Sequence, residues 1–553
     1  MKKTLAILLA LALLLAAFPA ALADEEAYVY PEFTTADVKE KGPGKLSDKP
    51  ITLRVFGGSN VKNQIRDNMD ENLMTRWLEE KTNVHLKWEL PASAEIGTKL
   101  NLSLASNAYP DMYYGVNLST AQTLLYAEEG VLLPLNDYLE EYAPDYYKLL
   151  QENPEFAQVA TAPDGNIYSF LRTDAGLHQY SIGKLFLNKE WFDNSGWDHE
   201  PATPAQLKEY LMYIKEHDMN GNGDPNDEIP LIAPINDGEA YNVLRYLMSP
   251  FQMIPYHSKL DVKDGQVYLT AATQGYKEGL AYVHDLYVNG LIDHDSFVVD
   301  GTTVKSLTSQ DLVGATYTSE IRFLIDTESN TSYNYQWFAP SPLADAEGNI
   351  VTANTNNSCV PNAYVTTACE HPEVAIAWLN YWFTEEGSML NMSGFEDITY
   401  IWTDEINYLG SNQSWAQLQA LHPDLYSTIT QNWWCSSGCR YQPASLRYAS
   451  RVIEGSNEWS LYTSAKKYED YIAKEYIPGT LWMSVEQAEE VGMIESTIND
   501  YIDEATAKFI TGEWDIEKDW DNYLNELKAQ QADRWVELYQ EIMDEQGGGK
   551  LAN

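Results

Sequence analysis

Apolar positions alternate at Ile51-Thr52-Leu53-Arg54-Val55-Phe56 and stop at Gly57-Gly58, so the first ordered element reads as a strand ending in a turn. Leu73, Met74, Trp77 and Leu78 then recur at helical spacing and predict a helix over 72–81. A second β-rich run, Val84-His85-Leu86-Lys87-Trp88, follows at once. Strand, helix, strand implies a right-handed crossover and parallel pairing. The alternation continues with a helix over 99–105, a strand Met112-Tyr113-Tyr114 and a helix over 135–142. Asp164-Gly165-Asn166 is a hairpin-type turn signal ahead of Ile167-Tyr168-Ser169-Phe170. Lys184-Leu185-Phe186-Leu187 reads as a strand, 204–217 and 276–288 as helices, and most of 484–546 as helical. The pattern is that of an α/β protein.

Two stretches stand outside this pattern. Lys2 and Lys3 precede the apolar run Leu5 to Phe18, which closes on Ala21-Leu22-Ala23, a secretory signal cut before Asp24. The run is too short to span a bilayer, which takes roughly 20 apolar residues, so 1–23 are excluded from the fold. No cysteine lies near the cut, so the chain lacks the residue that would carry a lipid anchor. Residues 24–50 mix charge with Lys41-Gly42-Pro43-Gly44 and predict a flexible leader. The 553 residues exceed one core, and at roughly 100–200 residues per domain they predict at least two lobes.

Charge narrows the partners. With 36 basic against 82 acidic side chains and a formal charge of −46, the chain is unsuited to nucleic acid or to anionic lipid. Cys435 and Cys439 enclose only Ser436-Ser437-Gly438, and export permits either a small disulfide loop or two free thiols. There is no Gly-x-Ser-x-Gly elbow, His-Glu-x-x-His, Walker loop or Gly-x-Gly-x-x-Gly after a strand.

Asp218-Met219-Asn220-Gly221-Asn222-Gly223-Asp224 sets oxygen side chains at alternate positions, as a tight calcium loop requires, and the acids Asp227 and Glu228 close it early. The expected ligands are Asp218, Asn220, Asn222, the Asp224 carbonyl, Asp227 and Glu228. A plain Asn-Gly loop closing a helix is the alternative. The 16 Trp and 38 Tyr against 14 Phe favour rings with a polar handle, which stack on sugars while bonding hydroxyls. Tyr400, Trp402, Trp433 and Trp434 lie in polar, loop-like contexts, with amides nearby in the run 354–358. Tyr114, at the end of a strand, joins them as an expected ligand contact.

Taken in order, several segments resemble the family 1 extracellular solute-binding proteins, in particular the long branch with the calcium-loop alginate-binding type. They are Trp77-Leu78-Glu79-Glu80-Lys81-Thr82-Asn83-Val84, Lys99 to Ser106 with Tyr109-Pro110-Asp111, Asp164 to Tyr168, and Asp227-Glu228-Ile229-Pro230. Asp285 to Ile292, His371-Pro372-Glu373-Val374-Ala375, and Lys508 to Glu513 with Asp519-Trp520 complete the set. The resemblance implies a two-lobed periplasmic-binding-protein-like fold of type II with a ligand cleft between the lobes. Lobe one would be 51–171 plus about 332–394, and lobe two 172–331 plus 395–553 with the C-terminal helices. It implies a monomer that captures an oligosaccharide and delivers it to the membrane permease subunits of an ABC importer, without chemistry on the ligand. A secreted glycoside hydrolase, or a binder of peptides or other solutes on the same fold, are the rivals.

Overall fold

In the computed structural model, the chain is described over residues 30–58, 69–106, 108–256, 258–325, 336–355, 359–422, 425–434, 438–546 and 549–550. The expected export signal, residues 356–358 of the amide-rich run, and Cys435 lie outside the described residues. In chain order the strands are β1 (Ile51–Gly57), β2 (Val84–Glu89), β3 (Met112–Tyr114), β4 (Phe170–Thr173), β5 (Lys184–Asn188), β6 (Leu260–Lys263) and β7 (Gln266–Leu269). They continue as β8 (Ala315–Thr318), β9 (Trp337–Phe338), β10 (Cys359–Val365), β11 (Tyr400–Thr403), β12 (Ser414–Gln417), β13 (Glu475–Tyr476) and β14 (Gly549–Lys550).

Lobe one is built on the sheet β2-β1-β3-β10-β4. β1 pairs in parallel with β2, Ile51 opposite Val84, and with β3, Val55 opposite Met112. The helix between β1 and β2 runs Leu73–Thr82; Asn72 caps its start by accepting the Met74 N–H at 2.9 Å, and Asn83 ends it in the left-handed conformation. β10 returns late in the chain and pairs antiparallel with β3 and β4. Ile167 bridges to Thr161 across the predicted turn, so the strand itself starts only at Phe170.

Lobe two has the antiparallel sheet β8-β5-β9, with Leu185 opposite Tyr317 and Leu187 opposite Phe338. The helices Pro204–Lys215 and Gln274–Val288 and the C-terminal trio Val485–Thr511, Ile516–Ala529 and Ala532–Gln546 cover it. Their buried faces share one core with Trp191, Tyr210, Tyr317 and Trp535.

Three parts of the expected layout change. Residues 30–50 are strapped to lobe one rather than loose: Leu46 N–H donates to the Thr82 carbonyl at 3.0 Å, Gly42 N–H to Glu386 at 2.8 Å, and the Tyr30 hydroxyl to the Ile398 carbonyl at 2.8 Å. β9 pairs with β5, so Trp337 and Phe338 stay with lobe two, and the return to lobe one follows them. Leu418, Ile429, Trp433, Trp434 and Cys439 fill the lobe-one core, so the segment after 394 first completes lobe one before Tyr468 and Leu481 rejoin lobe two. Of the two cysteines that could close a small loop, Cys439 is a free buried thiol, as are Cys359 and Cys369. Among the described residues no helix is long and apolar enough to cross a membrane.

Candidate ligand cleft and cation loop

Because β1, β2, β3 and β4 share one direction, their carboxyl ends fall on one side of lobe one, where an open sheet presents its site. Gly58 N–H donates to the Tyr114 carbonyl there at 2.9 Å, and a Cβ on Gly58 would lie 1.8 Å from the Gly115 carbonyl oxygen. Only glycine allows that approach. Beside it, buried Asn362 donates its amide to Asn117 Oδ1 at 2.8 Å, while its own Oδ1 has no partner. A cavity of about 290 Å³ straddles the lobes at this point, between Asn117–Thr120 and Val360–Pro361 on lobe one and Ser258 and Tyr539 on lobe two.

The crossing segments carry a charge network. The Arg447 guanidinium holds Glu458 bidentately, at 2.8 and 2.7 Å, and reaches Asp174 at 3.3 Å. Burial opposes the ionised Asp174 carboxylate, but the Arg447 and Arg440 charges outweigh it and hold its pKa below the usual range. Burial, with the Arg447 charge, pushes His178 well down, so its ring stays neutral. Leu177 N–H donates to the Tyr448 hydroxyl at 2.6 Å, and Asn457 donates to Glu320 of lobe two at 2.9 Å. A second cavity, of about 300 Å³, opens beside the network with Trp415, Gln442, Arg447, Asn457 and Glu458 in its wall. An indole, two amides and an ion pair around so small a space suit a hydroxylated, uncharged guest. At the start of β5, Lys184 is fully buried and its ammonium donates to the Ser181 and Ile182 carbonyls. Burial lowers its pKa to about 7, against the attraction of Glu320.

The five expected aromatics do not converge. Tyr114 has no exposed surface and meets Trp88, Trp378 and Trp434 edge-on, with centroids 5.7–6.0 Å apart. Gly438 sits so close that its Cβ would fall 1.9 Å from that ring. Trp433 and Trp434 are each 1% exposed, and Trp434 stacks parallel to Trp378. These three pack the lobe-one core, because β3 is covered on both faces and a strand end is then no guarantee of access. Tyr400 and Trp402 lie elsewhere, on the β11–β12 hairpin. Asp174, Gln442, Arg447, Asn457 and Glu458 were not anticipated, since no local spacing joins side chains some 270 positions apart.

The cation loop follows the helix Pro204–Lys215. Gly223 N–H donates to Asp218 Oδ2 at 2.9 Å, Asn222 N–H to Asn220 Oδ1 at 3.0 Å, Asp224 N–H to Asn222 Oδ1 at 2.7 Å, and Met219 N–H to Glu228 Oε1 at 2.7 Å. Asp224 spends its carboxylate on Asn226 N–H, leaving its carbonyl for other use. Asp227 Oδ1 and Glu228 Oε2 are buried without any donor. Two orphaned carboxylate oxygens fit a cation. Among the described residues no three His, Cys, Asp or Glu side chains are grouped to hold a metal, so a cation here would also need amide and backbone oxygens.

The profile described as "Bacterial extracellular solute-binding protein" matches residues 62–389. The chain belongs to that family. This solute-binding protein is 26% identical over 505 residues to the fructooligosaccharide ABC transporter substrate-binding protein FusA of Streptococcus pneumoniae, covering 87% of this chain and 88% of the relative. FusA solved with kestose superposes with a TM-score of 0.72 at 24% identity, over 89% of this chain and 99% of that one. An extracellular solute-binding protein from Bifidobacterium longum subsp. infantis gives 0.75 at 17% identity, over 90% and 98%. The alginate-binding protein AlgQ2, solved without calcium ion, gives 0.65 at 19%, over 91% and 100%. The two-lobed fold is therefore that of solute-binding proteins, and membership sets the hydrolase alternative aside: the protein captures a solute and does not cleave it.

Proposed function

We propose that this solute-binding protein is exported, captures an oligosaccharide between its lobes as a monomer, and hands it to the permease subunits of an ABC importer. The observation that carries this reading is the pair of small cavities, one between the two lobes and one beside their crossings. A relative named for fructooligosaccharide transport, and its complex with kestose, support the ligand class. A saccharide touching both lobes is bound fully only in the closed form, so its binding energy shifts an open–closed equilibrium that a permease reads. Trp415 lines the second cavity, and Asn117, Gln442 and Asn457 offer amides for hydroxyls. In the same reading, residues 1–23 are removed on export.

Calcium belongs to this proposal. Asp218, Asn220, Asn222, the Asp224 carbonyl, Asp227 and Glu228 would hold it, neutralising the two orphaned oxygens and tying the end of one helix to Ile229. An EF-hand mutant of FusA has been solved with fructo-nystose, which supports looking for the ion. To test the function, the mature chain is titrated calorimetrically with kestose, nystose and other neutral oligosaccharides, and the recovered ligand is checked by chromatography. Saturable binding with intact ligand is expected. Failure to bind any saccharide would sink the ligand class.

A further inference from the structure

Tyr400 and Trp402, which the strand ends do not reach, wall a groove of about 810 Å³. Its other walls are the 39–43 strap and the helices Pro372–Asn380 and Glu385–Ser393, so lobe one alone builds it and lobe closure is not needed to form it. Trp402 is 47% exposed, unusual for so large a ring, and stands 6.1 Å from Tyr400 at 80°. The two rings meet edge to face, and both line the groove.

The facing wall is acidic. Glu40, Asp145, Glu385, Glu386 and Glu396 line it against Lys39 and Lys41 only. Lys39 is already bound to Glu396, at 3.0 Å, and to Asp397. Glu386 is satisfied by the Lys41 and Gly42 N–H groups and the Tyr381 hydroxyl, at 2.8–3.0 Å. Glu40 is different: Oε1 accepts the Glu396 N–H at 2.8 Å, but Oε2 is buried without a partner. Burial, with Glu386 and Glu396 nearby, raises the Glu40 pKa, so the groove holds one unsatisfied carboxyl oxygen whose ionised form a cation would favour. Among the described residues no three acidic side chains are grouped to ligate a bare metal ion. An exposed indole beside a carboxylate selects a cation with an organic body, which the ring quadrupole attracts and the carboxylate neutralises.

We propose that this groove is a second binding site, for an organic cation whose ammonium or guanidinium group rests on Trp402 and pairs with Glu40. It is separate from the saccharide cleft, and either can fail without the other.

The test uses the full mature chain with spermidine and free arginine as probes, and kestose and calcium chloride as controls, by calorimetry at low and at high salt. A saturable spermidine or arginine signal that weakens with salt is expected. Trp402→Ala and Glu40→Gln should each lower that affinity roughly tenfold, with melting temperature and saccharide affinity unchanged. Should Glu40→Gln fold poorly, Trp402→Ala, at an exposed position, decides alone. Absence of cation binding, binding indifferent to Trp402→Ala, or displacement of the probe by kestose or calcium would each overturn the assignment.

Discussion

Glu228 turns one carboxylate oxygen to the Met219 N–H, while its other oxygen and Asp227 Oδ1 are both buried without a partner. A cation that satisfies them only in the native state adds to its stability. Chelation should therefore lower the melting temperature, and calcium at a hundred times its Kd should restore about 2.7 kcal/mol. Glu228→Gln together with Asp227→Asn should abolish the response to calcium; a melting curve indifferent to chelator would refute the cation. At Tyr114 the expectation concerns packing. Tyr114→Ala empties a site enclosed by three indoles and Gly438, and should cost about 3–5 kcal/mol in urea unfolding. Trp402→Ala should stay within about 0.5 kcal/mol. Lys184 carries a pH signature. Its folded pKa, about 7, lies below the ordinary lysine value, so the fold prefers the neutral amine. That contribution is complete above the unfolded pKa and is lost as pH falls toward 7, so stability should rise with pH across this window. Lys184→Met should flatten the rise, measured by denaturant unfolding at both ends.

Among the elements, the first crossing and the segment around Arg447 are joined by buried charge rather than by apolar packing. Arg447→Met would leave Asp174 and Glu458 buried without their cation, a loss of about 3–5 kcal/mol. Asp174 titrates below the usual carboxylate range, so its stabilisation is present above that range and fades as pH falls through the lowered value. The variant should lose that acid-side dependence, and a parental pH profile in Arg447→Met would show that the network is idle. The same elements show what the chain's pattern disclosed. β1 was legible from its alternation up to Val55, and the helices Leu73–Thr82 and Pro204–Lys215 from a buried face and a clear cap. The strap 30–50 was not, since backbone bonds to Glu386 and Thr82 hold it and these leave no apolar period. Residues 395–450 were misassigned to lobe two for a related reason: their strands and helices are four or five residues long, too short to show which core they join.

For the whole molecule, the two lobes and the absence of catalysis were readable from segment order, whereas the charge network at the crossings was not, because Asp174, Arg447 and Glu458 meet only after the chain has crossed between lobes. Ligand should draw the lobes together: the radius of gyration from small-angle scattering is expected to fall on adding the bound saccharide, and an unchanged value would count against closure. One feature of the connectivity reaches beyond binding. Trp433 and Trp434 complete a core whose first strand begins at Ile51. Lobe one therefore cannot mature as its own residues emerge from the ribosome; it must wait until four-fifths of the polypeptide exists, and the other lobe waits longer still for Ile542 and Met543. Contacts so distant in sequence delay folding. Neither lobe can be cut free as an independent unit.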